Sequence, residues 1–259
     1  MNQTNHPKLI LGIDIGGTHI KASVADIASG RLTGKHLFVP TPQPSTPAAM
    51  LSIIKDVISN LNWRGEVGSG FPGVIKKGTI FTAANLSQEW IGVNLENEIH
   101  KFAEGGVAAI NDADAAGLAE MKFGAGVEYN RQDGGVVLMV TLGTGIGTAL
   151  FTDGTLVRNT EFGHIEIDGV DAEKRAATVQ REREGLSWVD WGARVNKYLQ
   201  TMEKLLSPDV FIIGGGVSES SEKFFPFIKV RAKMVPAKMG NNAGIVGAAI
   251  ALESLYPKN

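Results

Sequence analysis

Two stretches of this chain, residues 9–25 and 136–151, follow one plan: a buried strand, a glycine hairpin carrying a threonine, and a returning strand. The first runs Leu9–Ile15, Gly16-Gly17-Thr18 and Ile20–Val24. The second runs Val136–Thr141, Leu142-Gly143-Thr144-Gly145-Ile146-Gly147 and Thr148–Phe151. Copies this far apart predict two β-rich units facing each other, because a solenoid repeats at closer, regular spacing. Chance recurrence of a glycine hairpin is the alternative. In the first hairpin neither glycine has a Cβ to keep an anion from successive backbone N–H groups. Asp14 stands just before the turn, where its carboxylate can hold a metal ion, and Thr18 and Lys21 add a hydroxyl and a cation. That set suits a phosphate-handling loop. It is not a P-loop, since the residues before a Gly-Lys-Ser/Thr are missing and no helix follows. The second hairpin is not a dinucleotide fingerprint either: it lacks the gap before the third glycine and leads into a strand.

Between and after the hairpins, strand and helix patterns alternate. Arg31–Phe38 reads as a third strand, and Pro40, Pro42, Pro44 and Pro47 mark an extended connector. Thr46-Pro47 is an N-cap followed by proline at the first helical position. Met50, Leu51, Ile53, Ile54, Val57, Ile58 and Leu61 then recur with a helical period. Val67–Phe71 reads as a buried strand ending at Pro72-Gly73, and residues 74–92 as an irregular stretch. A second helix starts at Asn94 and buries Leu95, Ile99 and Phe102. Val107–Ile110 is a strand running into Asn111-Asp112, and a helix from Ala113 to Phe123 stops at Gly124. Farther on, Ser187 and Asp190 open a helix that buries Trp188, Trp191, Val195 and Tyr198. Val210–Ile213 is a strand ending in Gly214-Gly215-Gly216, Lys229–Val235 a half-exposed strand, and Asn242–Leu255 a helix of small residues.

Composition narrows the function. At 259 residues, with 43% hydrophobic residues and 32 glycines, the chain suits two modest α/β domains with tight junctions. Its longest apolar run, Ile245–Leu252, is far short of the roughly 20 residues of a membrane span. Met1–Lys8 has neither an apolar core nor a cleavage site, so no signal peptide is expected. Without cysteine there are no disulfides and no thiolate metal sites, and a cytoplasmic location is the default. A net charge of −2 argues against a general nucleic-acid surface. A polyanion would have to meet a local basic patch.

Several groups carry candidate chemistry. Asn111-Asp112, at the end of a buried strand, places a carboxylate where α/β proteins keep reactive groups. It can accept the proton of a hydroxyl attacking phosphorus; equally, Asn and Asp there can cap the next helix. Glu161 and His164, with Glu166 and Glu173 nearby, suit a divalent metal, a set of sugar hydroxyls, or only a satisfied polar strand end. Gly214-Gly215-Gly216 lets a nucleotide base or ribose approach the backbone, or is a tight turn. Lys174, Arg175, Arg181 and Arg183, and Lys229, Arg231, Lys233 and Lys238, form basic clusters. They read either as a solvated ion-paired face or as a track for a phosphate chain.

Taken together, the motifs resemble one family. Asp14-Ile15-Gly16-Gly17-Thr18 with Lys21, Phe71-Pro72-Gly73, Ala84-Asn85-Leu86 with Trp90, Asn111-Asp112-Ala113, Leu142–Gly147, Glu161-Phe162-Gly163-His164 and Gly214-Gly215-Gly216 occur in the order found in the ROK family of bacterial sugar kinases and repressors. One departure stands out. Where the family carries a cysteine-rich zinc loop after Glu-x-Gly-His, this chain has Ile165–Gly169 and Asp171-Ala172-Glu173-Lys174-Arg175-Ala176-Ala177. That segment is similar to the polyphosphate glucokinase branch, which includes polyphosphate/ATP-glucomannokinases, so no zinc is expected.

The resemblance implies an α/β actin-like fold of two RNase H-like domains around a cleft. The N-terminal domain would take residues 1–112 plus about 244–259, and the C-terminal domain residues 113–243. It makes Asp112 the base that deprotonates the sugar 6-hydroxyl. Asn85, Asn111, Glu161, His164 and Glu173 would hold the other hydroxyls. Asp14, Gly16, Gly17, Thr18 and Lys21 would grip phosphates and Mg²⁺, with Thr141, Gly143, Thr144 and Gly145 gripping from the other domain. Gly214, Gly215 and Gly216 would face a nucleotide. The implied reaction is phosphoryl transfer from polyphosphate, or ATP, to glucose, with mannose as a second acceptor, by a cytoplasmic homodimer binding neither nucleic acid nor membrane. The rivals are a strictly ATP-dependent glucokinase or other hexokinase, and a non-catalytic sugar-responsive regulator. Against the latter, Met1–Lys8 is too short for a helix-turn-helix before the first strand.

Overall fold

The computed structural model describes residues 7–84 and 86–257. They fall into two compact units, residues 1–119 with 242–259 and residues 120–241. Asn85, expected to contact sugar, lies outside the described residues. β1 (Leu9–Ile15), β2 (His19–Asp26) and β3 (Arg31–Pro40) open the chain, followed by α1 (Pro47–Asn60) and β4 (Val67–Phe71). A small hairpin, β5 (Ile75–Lys76) and β6 (Thr79–Ile80), precedes α2 (Leu95–His100), β7 (Val107–Asn111) and α3 (Asp112–Phe123). Next come β8 (Val136–Leu142), β9 (Ile146–Thr152), β10 (Thr155–Val157) and the hairpin of β11 (Glu166–Ile167) and β12 (Val170–Asp171). The chain ends with α4 (Glu173–Ala176), α5 (Thr178–Glu184), α6 (Trp188–Leu206), β13 (Val210–Gly214), β14 (Lys233–Pro236) and α7 (Ala243–Leu255).

The repeat in the sequence is a repeat of topology. The first unit's sheet runs β3-β2-β1-β4-β7, and the second unit's runs β10-β9-β8-β13-β14. In each, three strands form an antiparallel meander and two more extend the sheet in parallel from the first strand. This is the RNase H-like arrangement, present twice.

Strand alternation decides which residues of β1 reach the site. Leu11, Ile13 and Ile15 face a core made with Met50, Ile54 and Val57 of α1 and Leu95 and Ile99 of α2. The intervening residues, Gly12 and Asp14, therefore face the opposite side, where α7 packs on β1, β4 and β7. Thr46 caps α1 by accepting the Ala49 N–H at 3.4 Å, as the Thr-Pro signal predicts. Trp90 is fully buried, and its indole N–H is satisfied by the Ser45 carbonyl at 3.0 Å.

The small residues of α7 permit backbone contact. A Cβ on Gly68 of β4 would lie 1.8 Å from the Ala248 carbonyl oxygen, and one on Gly247 would lie 1.6 Å from that of Ala115. No side-chain rotation relieves either clash. Gly247→Ala is expected to destabilise the fold by about 1–3 kcal/mol or more, read as a lower urea midpoint at an unchanged slope.

Two details bear on the sequence reading. The boundary between the compact units falls inside α3, between Ala119 and Glu120. The first part of α3 meets α7 at Ala115, whereas the Glu120 carboxylate accepts the N–H groups of Ala125, Lys238 and Met239. The half-exposed strand is also shorter than Lys229–Val235, because upstream donors turn to side chains of α6. Lys229 N–H goes to Asn196 Oδ1 at 2.7 Å, and the Arg231 and Ala232 N–H groups go to Glu203 Oε1 at 2.6 and 2.8 Å. Only Lys233–Pro236 joins the ladder on β13.

Candidate active site

In the first unit, chemistry gathers at the C-terminal ends of the parallel strands. Asp14 pairs with Gly70 across β1 and β4, and Gly70 with Ile110 across β4 and β7. Two strand spacings therefore separate the backbone of Asp14 from β7, about 10 Å, with a glycine between. Asp112 follows β7 as the first residue of α3 and is half-buried. Asn111 is 5% exposed and caps α3: its Oδ1 accepts the N–H groups of Ala113 and Asp114 at 2.9 and 3.0 Å. Its Nδ2 donates to the Gly73 carbonyl at 3.2 Å. Asn111 therefore caps α3 and anchors the backbone that carries the Asp112 carboxylate, whose Oδ1 also accepts the Ala113 N–H at 2.8 Å.

Asp14 lies beside the first turn of α7, its Oδ2 2.6 Å from where a Cβ on Gly244 would be. Lys21, its partner across the β1–β2 hairpin, approaches Oδ2 at 3.4 Å. Burial pushes the Asp14 carboxyl above its ordinary range, and Lys21 pulls it back only in part. The hairpin tip differs from the expectation in one respect. The Gly16 N–H bonds to the His19 carbonyl at 2.9 Å, and the Gly16 carbonyl takes the Thr41 hydroxyl at 2.6 Å. Gly16 therefore closes the turn. Among the described residues, the N–H groups of Gly17 and Thr18 have no backbone acceptor.

The second unit repeats this and adds a polar cluster. The Gly143 N–H closes its own hairpin onto the Gly145 carbonyl at 3.0 Å, leaving the exposed Thr144 at the tip. Glu173, at the start of α4, reaches this hairpin and accepts the Ile146 N–H at 2.9 Å. A Cβ on Gly145 would lie 2.2 Å from Glu173 Oε2, so glycine makes room for the carboxylate. Thr148 of β9 holds the next segment, donating to the Thr160 carbonyl at 2.7 Å and accepting the Phe162 N–H at 3.2 Å. Gly163 lies flat on the hairpin, where a Cβ would be 2.0 Å from the Ile146 carbonyl oxygen. These contacts bring Glu161, His164 and Glu173 together.

Asp171 was not among the expected site residues, yet its Oδ2 lies 3.0 Å from Nδ1 of His164 and its Oδ1 accepts the Glu173 N–H at 2.9 Å. The signal for it was present. Asp168-Gly169, with φ of 53° and 70°, is the two-residue turn of the β11–β12 hairpin, which brings Asp171 opposite Glu166. Burial alone would lower the His164 pKa, but the bond to Asp171 and the charges of Glu173, Asp171 and Glu161 outweigh it and raise it above 6.5. Burial raises Glu161, partly offset by His164 and reinforced by Glu173.

Thr141, next to last in β8, lies opposite Gly214 on β13, on the face away from the α6 core. Gly215 and Gly216 are exposed, and Gly215 has φ of 82°. The basic clusters divide. Lys233 pairs with Glu128 at 2.7 Å, Arg231 with Glu203 at 3.3 Å, and Glu184 takes Arg194 at 2.7 Å rather than a neighbour on α5. Arg181 instead stacks its guanidinium 3.7 Å from the centre of the Trp188 ring, with Lys223 Nζ 5.6 Å from that centre. Val179, two residues before Arg181, donates to the Gly143 carbonyl at 3.1 Å. Among the described residues, no three His, Cys, Asp or Glu side chains converge as a metal cluster, and no helix is long and apolar enough to cross a membrane.

Two RNase H-like units, each with a glycine hairpin at its first strand turn, make this an actin-like α/β fold. The chain belongs to the ROK family, whose model matches residues 10–185. It is 44% identical to the polyphosphate glucokinase of Mycobacterium tuberculosis over 241 residues, 93% of this chain and 89% of that one. The crystal structure of inorganic polyphosphate/ATP-glucomannokinase from Arthrobacter sp. strain KM superposes with a TM-score of 0.90 at 43% identity, covering 96% of this chain and 99% of that one. A ROK family glucokinase from Streptomyces griseus, crystallised with glucose and AMPPNP, shares the fold with a TM-score of 0.78 at 24% identity, covering 93% and 98% of the two chains.

Proposed function

We propose that this chain transfers a phosphoryl group from inorganic polyphosphate to the 6-hydroxyl of glucose, with Asp112 as general base. The observation that carries the proposal is the Asp112 carboxylate at the end of β7, on a backbone held by the Asn111 cap. The likeness to polyphosphate-using kinases supports the donor. Asp112 takes the proton from O6 as O6 forms its bond to the terminal phosphorus. The bond from that phosphorus to its bridging oxygen breaks, and the shortened polyphosphate leaves with the electron pair. Glu161, His164 and Glu173 orient the remaining sugar hydroxyls. Asn111 is proposed to contribute to sugar binding, while its Oδ1 serves the cap and its Nδ2 bonds to the Gly73 carbonyl. Gly17, Thr18, Lys21, Thr144 and the Gly145 turn meet the donor phosphates, with Gly16, Gly143 and Thr141 shaping the hairpins that present them.

Asp14 suits Mg²⁺. One carboxylate, incompletely neutralised by Lys21, is the protein share of a site that donor phosphates and water complete. Mg²⁺ there would neutralise charge on the transferring phosphoryl group. The domains assigned from the resemblance, 1–112 with 244–259 and 113–243, would each carry one of the two phosphate hairpins. A cytoplasmic homodimer belongs to the same proposal.

The donor can be tested directly. Purified protein with glucose and polyphosphate at fixed Mg²⁺ is expected to form glucose 6-phosphate, with mannose as the second acceptor to compare. Failure with polyphosphate and success with ATP would leave a strict ATP glucokinase; failure with both would leave a regulator. The exposed Gly215-Gly216 turn favours ATP as an additional donor. Arg181 and Lys223, cations held on one indole beside the hairpin, are the proposed track for the phosphate chain. Arg181→Ala should raise the polyphosphate KM about tenfold, one charged hydrogen bond, and flatten its dependence on salt. An unchanged polyphosphate KM would remove Arg181 from the track.

A further inference from the structure

His164 and the phosphate hairpin are joined by a chain of contacts that sugar binding alone does not require. Asp171 divides its oxygens, Oδ2 to the His164 ring and Oδ1 to the Glu173 N–H. Glu173 then bonds to Ile146, in space that only a glycine at 145 leaves open. Gly163 adds a second tie, its backbone pressed on the Ile146 carbonyl. Every link lies within one unit.

We infer that Asp171 is a positioning residue that couples the sugar-facing imidazole of His164 to the Gly143–Gly145 hairpin through Glu173, an inference that rests on the sugar-kinase function proposed above. A carboxylate on Nδ1 fixes the tautomer and leaves Nε2 for the sugar. An imidazole drawn onto a sugar carries Asp171 with it. Because Asp171 also holds the first N–H of α4, the movement reaches Glu173 and then the N–H that Glu173 binds beside the hairpin. Sugar occupancy thereby sets the hairpin conformation that receives the donor. By reciprocity, donor occupancy tightens sugar binding by the same factor. The charged groups facing the ring are Glu161, Asp171 and Glu173.

Asp171→Asn tests the link with little change of shape. The amide keeps an oxygen for the Glu173 N–H but turns an NH₂ toward Nδ1, which reverses the tautomer. With 6-deoxyglucose, which lacks the 6-hydroxyl that the proposed reaction phosphorylates, calorimetry can measure polyphosphate binding with and without sugar. In the wild-type chain the sugar is expected to tighten polyphosphate binding about 5-fold or more. Asp171→Asn should bind polyphosphate alone as well as wild type and lose this coupling, and its His164 ring, followed by NMR, should titrate at lower pH. Retained coupling in Asp171→Asn overturns the inference, as does a wild-type chain that binds sugar and polyphosphate independently. A wild-type chain that binds no sugar overturns the sugar-kinase function itself and the inference with it. If Asp171→Asn fails to fold, Gly145→Ala, which displaces the Glu173 carboxylate, is expected to show the same loss of coupling, and retained coupling there overturns the inference.

Discussion

Asp112→Asn is expected to lower kcat by about 10²–10⁴-fold, the range supplied by a positioned general base, while glucose binding stays within a few-fold of wild type. The two effects separate because the amide keeps the shape and polarity of the carboxylate and loses only its basicity. The fold should tolerate the change. Ala113 N–H, which approaches Asp112 Oδ1 at 2.8 Å, can bond to an amide oxygen equally well, and the Asn111 cap is untouched. Steady-state kinetics with polyphosphate and with ATP, beside glucose titration calorimetry, would decide it. A kcat within tenfold of wild type with both donors would remove Asp112 from the role of base. A parallel loss of glucose affinity would make it a binding residue instead. Asn111→Ala should behave differently: losing a buried cap costs about 0.5–2 kcal/mol of stability, and its kinetic effect would arise from misplacing Asp112.

How much of this was legible before the structure depends on the range of the interactions involved. The hairpins were readable because strand alternation and glycine turns are local, and their recurrence announced the doubled topology. Asp112 and Glu161–His164 stood out as candidates from strand ends and short motifs, which are local signals. Two features were not readable in this way. In Asn111-Asp112 the residue types suit both capping and catalysis, and only the hydrogen bonds of α3 show that the asparagine caps. Asp171 was missed because its contact with His164 depends on a two-residue hairpin reversing the chain between them. Asp168-Gly169 is the usual signal for that turn, but nothing local says what the returning strand meets. The basic clusters were ambiguous for a similar reason. Charge alone does not tell that Lys233 and Arg231 find carboxylates from distant elements whereas Arg181 finds an indole.

Asp14→Asn is expected to combine a large kinetic loss with no loss of stability, an outcome that separates a functional carboxylate from a structural one. Asp14 is held where burial raises its pKa and Lys21 compensates only in part. The sign follows. A carboxyl whose folded pKa exceeds its unfolded value of 3.8 binds protons more tightly when folded. Folding stability from this group therefore falls as pH rises through the unfolded and then the folded value. At neutral pH the ionised Asp14 destabilises the fold, and an amide removes that cost while leaving Lys21 partly solvated. The melting temperature should stay level or rise, and its decline with pH above 3.8 should lessen. Activity should move the opposite way. If Asp14 supplies the protein ligand to Mg²⁺, kcat should fall about 10²-fold or more, the scale of losing one preorganised charge at a developing phosphoryl centre. The Mg²⁺ concentration for half-maximal activity should rise as well. A variant that is as active as wild type, with the same Mg²⁺ dependence, would show that the carboxylate serves only the β1–α7 contact. A variant that loses stability would show that Asp14 holds Lys21 and α7 in place. Functional sites keep such uncompensated groups because the missing partner arrives with the substrate, and here the expected partner is the metal-bound end of the phosphate chain.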